Sequence, residues 1–345
     1  MGAPIAGGLK LKVRAAGQIS RLVLVLLVVA SAVKPALAEE RPEPAVWSLT
    51  MDDDIVVGTD RYYTGGFALA WVPGSQPAPE WAVRIANTIS WFPDGGEIRT
   101  GYVLGESAFT PSDITVANPP LDDRPYAGWL YATIGLDVET ARTSDQLSLT
   151  LGVVGPASRA AQIQKAIHRV TGSPTPEGWD TQLHNEPGVV LTYQHLWRQL
   201  AQGKLAGLDI DLMPYAGGAL GNVYTYANAG VTVRYGKRLS SDLGPVRIQP
   251  GPPGSAFFVP ANGFSWYLFA GLDGRAVARN IFLDGNTFQD SRSVDKEPLV
   301  GDIQAGAEMS WHDVRLSYTY VLRTREFKTQ GQIAKFGALS VSFAF

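Results

Sequence analysis

The sequence contains no cysteine, only four histidines, and no long apolar run after its first forty residues. Each absence excludes something. Without cysteine an exported domain has no disulfide staples, so it rests on a sizeable core, a metal or a continuous hydrogen-bonded sheet. Without a later run of about 18 apolar residues there is no transmembrane helix. Positive charge is also short, with 29 Lys and Arg against 32 Asp and Glu, a net charge of −3.

The N-terminal segment makes that balance more acidic. Lys10, Lys12, Arg14 and Arg21 precede LVLVLLVVASAV at 22–33, and Ala36-Leu37-Ala38 precedes Glu39-Glu40. A basic start, a short apolar run and an A-x-A end read as a secretory signal peptide over 1–38, leaving a domain over 39–345. The apolar run is short for a spanning helix, which needs about 20 residues. Residues 1–38 hold five of the Lys and Arg and none of the Asp and Glu, so the remainder carries about −8. That charge argues against a nucleic-acid partner.

What the chain does have is alternation. Leu339, Val341, Phe343 and Phe345 alternate with Ser340, Ser342 and Ala344. Leu208, Ile210 and Leu212 alternate with Asp209 and Asp211, and Val314, Leu316, Tyr318 and Tyr320 with Arg315, Ser317 and Thr319. A period of two marks strands with unlike surroundings on their two faces. A soluble sandwich would bury the apolar face; an outer-membrane barrel would turn it to lipid and line its interior with the charges. Strand lengths of about 10 residues, the export signal, the C-terminal Phe345 and aromatic residues near strand ends (Trp47, Trp71, Trp129, Trp197) favour the barrel.

Twelve strands are expected, near 45–56, 61–73, 97–109, 127–140, 144–155, 187–199, 206–219, 223–237, 264–278, 297–310, 313–324 and 335–345. The fold class is thus all-β, a transmembrane antiparallel barrel with a short helix in an extracellular loop. Links 141–143, 200–205 and 311–312 would be periplasmic turns, and 110–126, 156–186 and 279–296 external loops. Two long links, 74–96 and 238–263, fall at the periplasmic end by this count, against the usual habit of such barrels.

Loop 156–186 carries QIQKAIHRVTG, which repeats at helical spacing. Pro156 suits a helix start and Gly172 a stop, predicting a helix over 157–171. Ala160, Ile163, Ile167 and Val170 form its apolar stripe, Gln164 and His168 sit at the stripe's edge, and Lys165 and Arg169 lie opposite. The expectation is a lid over one side of the lumen. A half-buried histidine bonded to a backbone carbonyl is the plainer alternative for His168.

A second polar cluster is MDDDIVVGTDRYYTGG, 51–66. Alternation places Asp54 and Thr64 toward the interior near the outer rim. Carboxylates beside a hydroxyl suit a hard cation such as Ca²⁺, although a solvated acidic loop explains them equally.

Taken together, TDRYYTGG (59–66), DDRPYAGWLY (122–131), GVVGPAS (152–158), the helix, and GWDTQLHNEPG (178–188) resemble, in this order, the outer-membrane lipid A 3′-O-deacylases of the LpxR family. The resemblance spans essentially the whole chain after residue 38. It implies a twelve-stranded barrel with its site between the wall and a loop helix, and Ca²⁺-dependent hydrolysis of the 3′ acyloxyacyl ester of lipid A. By motif the family's histidine base falls on His168, its glutamine on Gln164, its threonine on Thr64, and its metal-binding Asn-Asp pair on Asp53 and Asp54. The first of that pair is Asp53 rather than Asn, and Pro174 stands where some members carry Glu.

In this reading the cation polarises the ester carbonyl while His168 relays a proton from water to the leaving alkoxide. Lys165, Arg169, Arg124 and Arg61 are candidates for the phosphates of lipid A, solvated or lumen-paired charges being the alternative. Lipid A and outer-membrane lipids are the expected partners, and a monomer the expected state. Competing readings are a serine–histidine outer-membrane phospholipase, for which Ser158 and Ser173 are the only serines flanking the helix, a non-catalytic porin-like or adhesin-like barrel, and a relative of the family that keeps the fold without the activity, to which Asp53 points.

Overall fold

The computed structural model describes residues 44–53, 62–74, 77–198, 200–239, 244 and 261–345. The expected signal peptide, Asp54 and Arg61 lie outside the described residues.

The strands form one antiparallel sheet that closes on itself. β1 (Val46–Asp53) pairs with β2 (Tyr62–Val72) on one side and with β13 (Ala334–Ala344) on the other. From β2 the sheet continues through β3 (Glu97–Thr110), β4 (Ala127–Glu139), β5 (Thr143–Val154) and β6 (Glu186–Trp197). β7 (Ala201–Leu205), β8 (Leu208–Gly221), β9 (Tyr224–Lys237), β10 (Ala261–Asn280), β11 (Leu299–His312) and β12 (Val314–Arg323) complete the circuit to β13. β6 and β7 both pair along β8, from Val190↔Gly221 to Leu205↔Leu208. They are one interrupted stave, so thirteen segments make a closed twelve-stranded barrel.

The expected strands are present. Two links need correction: 311–312 belongs to β11, leaving Asp313 as the turn, and 201–205 is strand, its turn being Ala206-Gly207, with φ of 50° and 83°. Positive φ at both central residues gives the mirror-image turn whose twist matches paired strands.

The two faces of the wall are chemically unlike, as the alternation demands. Leu268, Leu272 and Ile303 stand exposed on the outside. Inside, Arg234 donates to Asp211 at 2.6 Å, while Arg323 and Arg275 both donate to Asp302, at 2.9 and 2.6 Å. Helix α3, a single turn at Ile281–Asp284, brings Phe282 into the lumen, 3.9 Å from the ring of Phe109. Trp129, Tyr131, Tyr224, Phe327 and Phe336 complete that buried cluster. Trp47, Trp71 and Tyr102 stack on the outer face as a girdle, but Trp129 belongs to this interior core rather than to a girdle.

The long link after β2 joins the end of the barrel that also carries turn 140–142. It forms helix α1 (Glu80–Thr88), whose Ala82 and Ala86, with Phe92, cover Leu136 and Val138. Those two share the outward row of β4 with Leu130 and Ala132. A long periplasmic link is thus accommodated by packing against the outside of the wall.

Candidate active site

Helix α2 (Ala160–Thr171) follows a 3-10 turn at Pro156–Ser158. Arg159, with φ of 64°, separates the two, so the helix starts later than the expected 157. It does not lid the lumen. Gly128 stands on the outward row of β4, and a Cβ there would overlap Ser158 and Ala160. Ala108, on the outward row of β3, shares a buried cluster with Tyr126, Ala160 and Trp179. The helix therefore leans against the lipid-facing side of the wall, at the extracellular ends of β3 and β4.

Its buried row is also rotated from expectation. Ala160, Gln164, His168 and Thr171 face inward to the wall, whereas Val170 is 60 % exposed. A helix on a lipid-facing wall can leave its apolar flank toward the bilayer, which frees the wall side for polar groups. Gln164 and His168 thus lie in the middle of the contact, not at its edge.

His168 is 3 % exposed, and its Nδ1 lies 2.5 Å from the carbonyl oxygen of Pro174. The helix ends in a left-handed residue, Gly172 (φ 77°), and both Gly172 and Ser173 donate their N–H to the His168 carbonyl. That turn brings Pro174 back to the ring. A carbonyl only accepts, so Nδ1 carries a proton, and in the neutral ring the lone pair falls on Nε2. Nε2 makes no hydrogen bond among the described residues. The carbonyl-bonded histidine of the plainer alternative is present, yet the bond uses only the nitrogen that a base does not need.

Gln164, 4 % exposed, accepts a 2.7 Å hydrogen bond from the indole of Trp179 through Oε1. Its Nε2 is buried without a partner. Leaving such a donor unmade costs about 1–3 kcal/mol, so it calls for a use.

The outward row of β3 contributes a residue that sequence reasoning missed. Along the outward row of β3, Leu104 is 58 % exposed, whereas Glu106 is 6 % exposed and Ala108 lies under the helix cluster. Cover by the helix-bearing loop therefore begins at Glu106. Its Oε1 is buried with no hydrogen-bond partner. The sequence did contain a signal: a carboxylate on the apolar register of a lipid-facing strand is rare and usually functional.

The remaining candidates divide. Asp53 pairs with Gly65, and Gly65 with Ala108, so its backbone position shares a row with the helix-covered wall. Thr64 falls at a bulge between Tyr63 and Gly65, which interrupts the alternation that assigned it to the interior. Lys165 and Arg169 are exposed on the free side of α2, together with Arg159, and no ion pair holds them among the described residues. Arg124 is elsewhere. It is buried beside the lumen, 3.4 Å from Glu326 and 5.1 Å above the ring of Phe109, matching the lumen-paired alternative.

A serine nucleophile finds no support in this geometry. The Ser158 hydroxyl donates to the Gly155 carbonyl at 2.7 Å and the Ser173 hydroxyl pairs with that of Thr171 at 2.9 Å, and neither hydroxyl bonds to the His168 ring. What the contact between helix and wall holds instead is an imidazole with an uncommitted nitrogen and an unspent amide donor, with the partnerless carboxyl oxygen of Glu106 on the same outward row of β3 as Ala108.

Among solved structures, LpxR from Salmonella typhimurium superposes with a TM-score of 0.69 at 19 % identity, covering 87 % of this chain and 100 % of that one. The β-domain of the Bordetella autotransporter Brka gives 0.40 at 11 % identity, covering 88 % of this chain and 100 % of that one. The translocator domain of autotransporter NalP from Neisseria meningitidis gives 0.39 at 9 %, with 96 % of each covered. A comparison with curated protein sequences finds no match. The family described as outer membrane protein LpxR matches residues 22–345, nearly the whole sequence. With the barrel, its lipid-facing wall and the helix laid against it, this establishes that the chain belongs to the LpxR family of outer membrane proteins.

Proposed function

We propose that the protein is an outer-membrane esterase that removes the 3′-linked acyloxyacyl chain from lipid A, with His168 as general base. The observation that carries this reading is His168 Nε2, an uncommitted base in a slot on the lipid-facing side of the wall. A substrate held in the outer leaflet reaches such a slot laterally, whereas a lumenal site would serve a soluble one. Lys165 and Arg169 on the free side of α2, and Arg159 beside them, suit the phosphates of lipid A.

In the reaction, Nε2 takes a proton from water as the water oxygen bonds to the ester carbonyl carbon. The carbonyl becomes a tetrahedral oxyanion, to which Gln164 Nε2 donates. The bond to the sugar oxygen then breaks, and the imidazolium returns its proton to that alkoxide. The acyloxyacyl chain leaves as a carboxylic acid.

Calcium belongs to the same proposal. Glu106, with its buried uncommitted oxygen, fits a hard cation, and Asp53 and Asp54 would complete the carboxylate set. Bound there, the cation would polarise the ester carbonyl. Among the described residues no three His, Cys, Asp or Glu side chains are grouped to hold a metal by themselves.

The test is mass spectrometry of lipid A from cells expressing the wild type or His168→Ala, with and without a calcium chelator. Loss of one acyloxyacyl unit only in the untreated wild type is the expected result. Unchanged lipid A beside a folded wild-type barrel would refute the substrate.

A further inference from the structure

We propose that Trp179 is a positioning residue that fixes which end of the Gln164 amide meets the substrate, an inference that rests on the esterase reading above. An indole has one donor and no acceptor, so the atom it meets on Gln164 must be the carbonyl oxygen. The 2.7 Å bond therefore settles an orientation that the shape of an amide leaves open. The consequence appears at the other end. Nε2 keeps both hydrogens unspent, buried between α2 and the wall.

Trp179 is itself held on several sides. Its ring lies 4.9 Å from that of Tyr126, which donates its hydroxyl to the Ile114 carbonyl at 3.1 Å. Ala108 and Ala160 close the same cluster. The preceding residue is Gly178, where a Cβ would overlap the Tyr126 ring, so only glycine lets the short turn Gly178–Thr181 approach this closely. The indole is thus a fixed donor rather than a mobile one.

Without that donor the amide could turn and present its oxygen where negative charge develops. An acceptor there opposes the reaction, whereas a donor assists it. Trp179 touches neither substrate nor water in this scheme and acts only through Gln164.

Trp179→Phe deletes the N–H and keeps a ring. The experiment measures kcat and KM on lipid A in detergent micelles for wild type, Trp179→Phe, Gln164→Ala and the double variant. Heat-modifiable mobility reports barrel folding. Gln164→Ala is expected to lose about a hundredfold in kcat, as for removal of one oxyanion donor. Trp179→Phe is expected to lose about tenfold or more in kcat, with KM changed less than about twofold. In the Gln164→Ala background it should cost nothing further, because the two act as one unit. Should Trp179→Phe fold poorly, benzothienylalanine at 179 replaces the N–H by sulfur at constant shape and carries the same expectation. Additive losses, or a folded Trp179 variant with wild-type kcat, would overturn the inference while the esterase reading stands. A folded wild type that cleaves no lipid A ester would instead sink that reading, and the inference with it.

Discussion

The imidazole Nδ1 of His168 lies 2.5 Å from the carbonyl oxygen of Pro174, six residues ahead, so a main-chain group sets the tautomer of the candidate base. A backbone acceptor is neutral and cannot be removed by changing its side chain, yet it can be moved. Its position depends on Gly172, whose φ of 77° turns the chain back toward the ring.

Gly172→Ala is therefore expected to lower activity without unfolding the barrel. No atom obstructs a Cβ there, so the cost is the left-handed backbone itself, about 1–2 kcal/mol. If relaxation of that strain shifts Pro174, kcat should fall about tenfold for each 1.4 kcal/mol it removes from the transition state. Initial rates beside a thermal melt separate the two effects. A destabilised variant with unchanged kcat would show that Pro174 does not govern the ring.

Gly128→Val should displace α2 from the wall. A Cβ at this position overlaps Ser158 and Ala160, at the root of the helix. The expected result is loss of most activity, with the heat-modifiable mobility of the barrel preserved because β4 keeps its ladder to β3 and β5. Retained activity would mean that the helix tolerates withdrawal from the wall.

Glu106→Gln tests the cation. The change is nearly isosteric and removes the charge, and it should weaken calcium binding about tenfold or more, equivalent to about 1.4 kcal/mol. Calorimetry with calcium chloride and no substrate reads this directly. Unchanged affinity would exclude Glu106 as a ligand.

Arg124→Ala and the double change Lys165→Ala with Arg169→Ala should fail differently. Arg124 and Glu326 are both buried, so truncating the arginine leaves a carboxylate with less support and is expected to cost about 3 kcal/mol of stability. Its KM should not move. The exposed pair should leave stability intact and raise KM, more at low salt than at high. A KM effect from Arg124→Ala would place that residue back at the substrate.

The barrel was legible because the two-residue period reports directly on a wall with lipid outside and charge inside. Strand bounds near 97–109 and 127–140 emerged within a residue or two. The location of α2 was not legible, for a physical reason. A helix lid over a polar lumen and a helix on a lipid-facing wall are both amphipathic, and only the neighbours decide which flank is buried. Reading Ile163 and Val170 as the contact face assumed water on the far side. Alternation carries no assignment across Thr64, because the register shifts by one residue between Tyr63 and Gly65. Glu106 carries no sequence signature beyond its place on an apolar row, and Trp179 none, because what sets them apart is burial with an uncommitted oxygen in one case and the bond to Gln164 in the other.

The stacked rings of Phe109 and Phe282 and the arginine–carboxylate pairs beneath them have a meaning beyond folding. They leave the barrel's axis occupied by side chains, so the protein should insert into a planar bilayer without conducting ions. An enzyme so built can be abundant without adding a leak to the permeability barrier in which it works.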